Sequence, residues 1–90
     1  MQRIERTFVI LNALGMHARP AAMLVQTANR FHSEVLIERD GTQVNAKSIM
    51  GVLTLAASKG AQILVSCEGD DAGAAMEALA RIIESGFGER

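Results

Sequence analysis

The stretch Gly15-Met16-His17-Ala18-Arg19-Pro20-Ala21-Ala22 constrains the chain more than any other. It holds the only proline among 90 residues. Proline has no N–H to donate and a fixed φ, so a helix tolerates it in the first turn and not in the interior. The apolar residues around and after it, Ala21, Leu24, Val25, Ala28 and Phe31, recur at helical spacing. A helix is therefore expected from about Ala18 to Asn29. Gly15 supplies a permissive backbone for the turn before it. His17 is thereby placed where a loop becomes a helix.

Elsewhere the period switches between two and about 3.6. Ile4 to Leu11 alternates, with Phe8 and Ile10 inward, and reads as a strand. Asn12 to Met16 form a loop. Glu34 to Glu38 alternates, with Val35 and Ile37 on one face. Asp40-Gly41 is a strong hairpin signal, and a short strand follows through Val44. Lys47 to Leu55 reads as a short helix with Ser48 at its N-cap. Gln62 to Glu68 is a fourth strand, with Ile63, Val65 and Cys67 inward. Gly69-Asp70-Asp71 is a turn in which either Asp can cap the last helix, Ala72 to Ser85. That helix carries Ala75, Met76, Leu79, Ile82 and Ile83 on one face, and Gly86 and Gly88 end it.

The order β-α-β-β-α-β-α implies one domain over 1–90 of the α+β class. It should have two layers, an antiparallel sheet with helices on one face. Thr7, Glu34, Glu38 and Ser66 would then lie on the open face. Leu36 and Leu64 fall there too, and cross-strand pairing with each other would account for them.

Composition excludes several classes of function. A formal net charge of −1 and the lack of a basic run argue against nucleic-acid binding. The apolar runs are too short to span a membrane. No basic and apolar leader precedes the first strand pattern, so a cytoplasmic protein is expected. One cysteine excludes an internal disulfide. Cys67 with the distant His17 and His32 makes no metal site. His32, at a helix-to-strand junction without a chemical partner, reads as a surface residue.

A helix start presents unpaired N–H groups and the positive end of the helix dipole, which together favour phosphate. A histidine there can attack phosphorus through a neutral ring nitrogen. Arg19, two residues on, offers paired planar donors to the phosphate oxygens. The plain alternative is that His17 caps the helix and Arg19 dresses the surface. Ser48 precedes a second helix start and reads as an N-cap or as a phosphorylation site. Met16, Met23 and Met50 fall around these two helix starts. With Ile49 and Leu53 they form a candidate apolar docking patch, since methionine suits adaptable surfaces.

Taken together, Gly15-Met16-His17-Ala18-Arg19-Pro20-Ala21 and Asn45-Ala46-Lys47-Ser48-Ile49-Met50-Gly51-Val52-Leu53 resemble the two signatures of one family. That family is HPr, the histidine-containing phosphocarriers of the bacterial phosphoenolpyruvate-dependent sugar phosphotransferase system. Lys59-Gly60-Ala61 and Glu68-Gly69 also fall where the family has comparable residues. The resemblance implies an open-faced β-sandwich with sheet order 1-4-2-3, covered on one face by three helices. It implies that His17 accepts a phosphoryl group on Nδ1 from Enzyme I and passes it to a IIA domain of a sugar permease. Arg19 would steady the phosphate. Ser48 matches the serine modified by an ATP-dependent kinase in many members, which would weaken Enzyme I binding. A serine kinase/phosphorylase and transcriptional regulators are further implied partners. The resemblance implies no cofactor, and a monomer that docks face-on.

Many members carry lysines along the exposed face of the first helix. Here that face offers Gln26 and Asn29, with Arg30 near its end, so docking should lean on Met16, Met23, Ile49, Met50 and Leu53. The nitrogen-related paralogue NPr, with a regulatory role, is the nearest alternative. A binding module that never transfers phosphate is the other. Catabolite-repression relatives without the active histidine are disfavoured by His17.

Overall fold

In the computed structural model, which describes residues 1–89, the alternating segments form four strands and the 3.6-period segments form helices. The chain runs β1 (Gln2–Val9), α1 (Ala18–Ala28), β2 (Glu34–Arg39), β3 (Thr42–Asn45), α2 (Ile49–Thr54), β4 (Gln62–Gly69) and α3 (Ala72–Glu84). A 3₁₀ turn, Gly86–Gly88, follows. Every strand pairing is antiparallel and the sheet order is β1-β4-β2-β3, so the open-faced α+β sandwich is confirmed.

The period of two sets the buried face. Ile63, Val65 and Cys67 of the central β4 are buried, as are Val35 and Ile37 beside them on β2 and Phe8 on β1. Burial pushes the Cys67 thiol up, which suits a small core residue. α3 packs over β1 and β4, and α1 packs between α3 and α2. Leu24 and Ala28 of α1 and Leu79 and Ile83 of α3 close the aliphatic core. Asp40 (φ 50) and Gly41 (φ 84) both take left-handed backbone, the requirement of the tight hairpin between β2 and β3.

Four expectations need correction. β1 runs from Gln2 to Val9 rather than from Ile4 to Leu11, because its ladder ends at the Val9–Gln62 pair. Ile10 still donates to Ala61 O at 2.9 Å and stays buried. Leu36 and Leu64 do not face each other: Leu36 opposes Ser66 and Leu64 opposes Glu38, so the leucines are diagonal neighbours. Ser66, expected at the solvent face, is buried there and donates to Glu5 Oε2 at 3.2 Å. Finally, Phe87 is fully buried between two glycines, where only the end of a helix was expected.

Asp71 stands at the N-cap position of α3 but makes no side-chain capping bond. Its carboxylate instead accepts the N–H of His32 at 2.8 Å, the N–H of Ser33 at 2.9 Å and the Ser33 hydroxyl. This ties the α1–β2 loop to the β4–α3 turn. The hydroxyl and amide donors, led by Ser33, hold the carboxyl down at about 2, below its ordinary 3.8. A carboxyl lowered on folding stabilises fully above its unfolded value and loses that contribution as pH falls through the folded one. Wild type should therefore exceed Asp71→Ala in stability above 3.8, and the gap should close as pH drops through about 2. Urea midpoints of both proteins across that range check this, and a pH-independent gap would contradict it.

Candidate functional site

The loop before α1 is fixed by backbone contacts with the segment between α2 and β4. Met16 N donates to Ala57 O at 2.8 Å, and Gly60 N donates to Ile10 O at 2.8 Å. Gly15 (φ 69) makes the first contact geometrically open: a Cβ there would lie 2.6 Å from Ala57 O and 2.8 Å from Ser58 Cα. Met16 then drops into the core at 6% exposure. The chain turns, with His17 N donating to Gly15 O at 3.0 Å, and α1 begins.

His17 is the N-cap residue of α1, in extended backbone (φ −87, ψ −170), yet its side chain makes no capping hydrogen bond. Its carbonyl accepts the N–H of Ala21 at 3.0 Å. The N–H groups of Ala18 and Arg19 precede the first intrahelical acceptor and point out of the helix start. Pro20, next in line, has no N–H. No acidic residue lies in this first turn, so the dipole end stays open to an anion.

A carboxylate from the far end of the chain reaches this place. Glu89 Oε1 lies 2.8 Å from His17 Nε2, and Glu89 Oε2 accepts from Arg19 Nη1 at 3.2 Å. The same Oε1 accepts from Asn12 Nδ2 at 2.9 Å, and Asn12 Nδ2 also donates to Gly15 O at 2.7 Å. The His17 bond, followed by that of Asn12, holds the Glu89 carboxyl below the usual carboxylate range. Half-exposed His17, the exposed Arg19, Glu89 and the buried Asn12 thus form one connected cluster.

The expected pair His17 and Arg19 is brought together, here by a shared carboxylate. Asn12 and Glu89 were not anticipated. Asn12 falls in a loop by its sequence, and Glu89 lies beyond the glycines that end the last helical pattern. One signal was present: a phenylalanine between two glycines after an amphipathic helix must fold back to bury its ring.

Ser48 caps α2 as expected, accepting from Gly51 N at 3.2 Å. Of the expected docking residues, Met50 is 71% and Ile49 41% exposed. Met23 and Leu53 are half-buried against the core. Met16 is a correction: it is a core residue and offers no surface to a partner, because the Gly15–Ala57 contact turns it inward. Leu14, outside the expected patch, is 77% exposed three residues before His17. Among the described residues no group of three or more His, Cys, Asp or Glu could hold a metal ion, and no helix is long and apolar enough to cross a membrane.

Comparison with known proteins gives concordant matches. A family model described as "PTS HPr component phosphorylation site" matches residues 4–85. The phosphocarrier protein HPr of Treponema pallidum is 45% identical over 86 residues, covering 96% of this chain and 98% of that protein. An HPr-like protein Crh of Halalkalibacterium halodurans is 51% identical over 81 residues, covering 90% and 96%. The crystal structure of an HPr from Thermoanaerobacter tengcongensis superposes with a TM-score of 0.93 at 50% identity, covering 97% of this chain and 98% of that one.

The Gly15–Ala57 contact gives this geometry a direct test. Gly15→Ala should cost about 1–3 kcal/mol, since it forces a Cβ both into left-handed backbone and onto a neighbouring carbonyl. Urea unfolding measures it. A loss below about 0.5 kcal/mol, the scale of neutral surface changes, would mean that the two loops are not locked.

Proposed function

The chain belongs to the HPr family of phosphocarriers of the phosphotransferase system, and from that premise we propose that His17 accepts a phosphoryl group on Nδ1 from phosphorylated Enzyme I and hands it to IIA domains serving sugar uptake and regulation. The observation that carries this reading is a histidine at the N-cap of α1 whose ring does no capping. Its place is accounted for by chemistry rather than by helix termination. The Ala18 and Arg19 N–H groups and the Arg19 guanidinium supply the donors that a transferred phosphate needs. Phosphoryl transfer depends on positioning and charge stabilisation more than on covalent machinery. A small carrier can therefore serve as acceptor and donor while larger partners complete each site.

Docking is assigned to Met23, Ile49, Met50 and Leu53, the expected patch residues that keep surface. The working unit is a monomer, because this face has to meet several partners in turn. α1 carries no lysine, so acidic partners gain little steering from it. That feature makes the nitrogen-related regulatory relay the second reading. Ser48 is assigned as a regulatory phosphorylation site: its hydroxyl lies at an exposed helix start beside Ile49 and Met50. A phosphate there would place about two negative charges inside the docking face.

Enzyme I with phosphoenolpyruvate should add one acid-labile phosphate, and His17→Ala should abolish it. An acid-stable adduct, or unchanged labelling in the variant, would overturn the acceptor role. Arg19→Glu should slow both transfers by about a hundredfold, the scale of losing one charge-stabilising donor, with the fold intact by circular dichroism. Labelled phosphate should then pass to a IIA domain. Binding of partners without onward transfer would make the chain a pure binding module.

Ser48→Asp should raise the KM for Enzyme I by about tenfold, equivalent to ~1.4 kcal/mol at the docking face. Unchanged Enzyme I kinetics would leave Ser48 as an N-cap alone.

A further inference from the structure

We propose that Glu89 is the positioning residue of this site: fixed by Asn12 and Arg19, its carboxylate accepts the Nε2–H of His17, holds the ring in that tautomer and leaves Nδ1 as the nucleophile. This rests on the acceptor role assigned to His17 above. For a neutral ring the geometry leaves one consistent assignment of protons. A carboxylate kept below the usual range is ionised and can only accept. The 2.8 Å contact at Nε2 therefore needs a proton on Nε2, and a neutral ring then has its lone pair on Nδ1. Asn12 is oriented by the same logic, since its Nδ2 lies between two acceptors, Gly15 O and Glu89 Oε1.

Two features of the fold build the device. Asn12 is fully buried and its Oδ1 has no hydrogen-bond partner among the described residues. A buried orphan acceptor costs about 1–3 kcal/mol, so stability alone does not account for an asparagine there. What its amide supplies is a fixed donor to the carboxylate that holds His17. The second feature is Phe87, whose buried ring anchors the turn carrying Glu89 into the site. Glu89 N then donates to Gly86 O at 3.0 Å.

The arrangement also fits the charge change of the reaction. The Nδ1 lone pair forms the new N–P bond. The bond from phosphorus to the donor protein breaks, and its electron pair leaves with the donor. No proton need move, because Nε2–H stays in place. The ring thereby gains a positive charge, which the Glu89 carboxylate meets across the same hydrogen bond. Onward transfer runs the step in reverse: the N–P pair returns to Nδ1 and the ring becomes neutral again.

The test uses the full chain with ¹⁵N-labelled histidine rings, comparing wild type, Glu89→Ala and Glu89→Gln. His32, whose exposed ring lacks a carboxylate partner among the described residues, serves as the internal reference. In wild type the Nδ1–H tautomer of His17 should be several-fold rarer than that of His32. In Glu89→Ala the two should become alike, and kcat for acceptance from phosphorylated Enzyme I should fall by about tenfold or more with KM nearly unchanged. Glu89→Gln, which keeps an acceptor oxygen but not the charge, should restore the tautomer and only part of the rate. An unchanged His17 tautomer in Glu89→Ala, a change confined to KM, or faster transfer would each overturn the proposal. The tautomer ratio is read without any phosphoryl transfer. Failure of the acceptor role itself would appear separately, as labelling that survives His17→Ala.

Discussion

The site depends on one close approach: the backbone of Gly15-Met16 lying against the carbonyl of Ala57, with Met16 N to Ala57 O at 2.8 Å. Two loops from distant parts of the chain meet there because β1 and β4 are neighbours in the sheet. The sheet supplies the platform, and the missing side chain of Gly15 supplies the clearance. Once Met16 is drawn inward, His17 has to lie at the rim, and Pro20 has to open the helix behind it. The histidine is thus positioned by its neighbours' packing rather than by bonds of its own backbone alone, which leaves its ring free.

A ring left free by packing still has two nitrogens and two tautomers. The part of the chain that distinguishes them comes from the opposite end of the sequence. Phe87 is bound by the ordinary hydrophobic requirement that a large ring be buried, and the glycines on either side allow the left-handed backbone that this demands. Glu89 follows two residues later and lands on His17. Core packing at α3 and ring orientation at α1 are therefore linked through a single turn.

The fold was legible in the sequence because its elements are strongly periodic and its turns carry specific chemistry. Asp40-Gly41 and Pro20 each allow one backbone solution, and both took it. Val35, Ile37, Ile63, Val65 and Cys67 are buried as their alternation requires. The misses share a physical cause, namely that the deciding partner is remote. Asp71 looked like a cap, yet two N–H groups and a hydroxyl across the α1–β2 loop offered more donors than the local helix start. Met16 sits among other methionines in the sequence, but the Ala57 carbonyl decides which way it turns. His17 and Arg19 were visible because the chemistry of a helix start is local. Asn12 and Glu89, separated by 77 positions, were not.

The cluster has an asymmetry that suits a carrier. Arg19 is 62% exposed, holds Glu89 through one nitrogen at 3.2 Å, and sits on a long flexible stem. Solvent screens the charge of so exposed a guanidinium, and it has further donors to offer. Asn12, by contrast, is buried and holds two acceptors through its Nδ2, Gly15 O on one side and Glu89 Oε1 on the other. On the proposed function, an arriving phosphate would draw Arg19 toward itself while Asn12 keeps Glu89 on Nε2. The ring orientation then persists through the charge change, and only the mobile arginine has to redistribute its bonds. On the proposed roles, a site built this way separates the group that positions the nucleophile, Glu89, from the group that would bind the phosphate oxygens, Arg19, so one carrier surface would load and unload without rebuilding its centre.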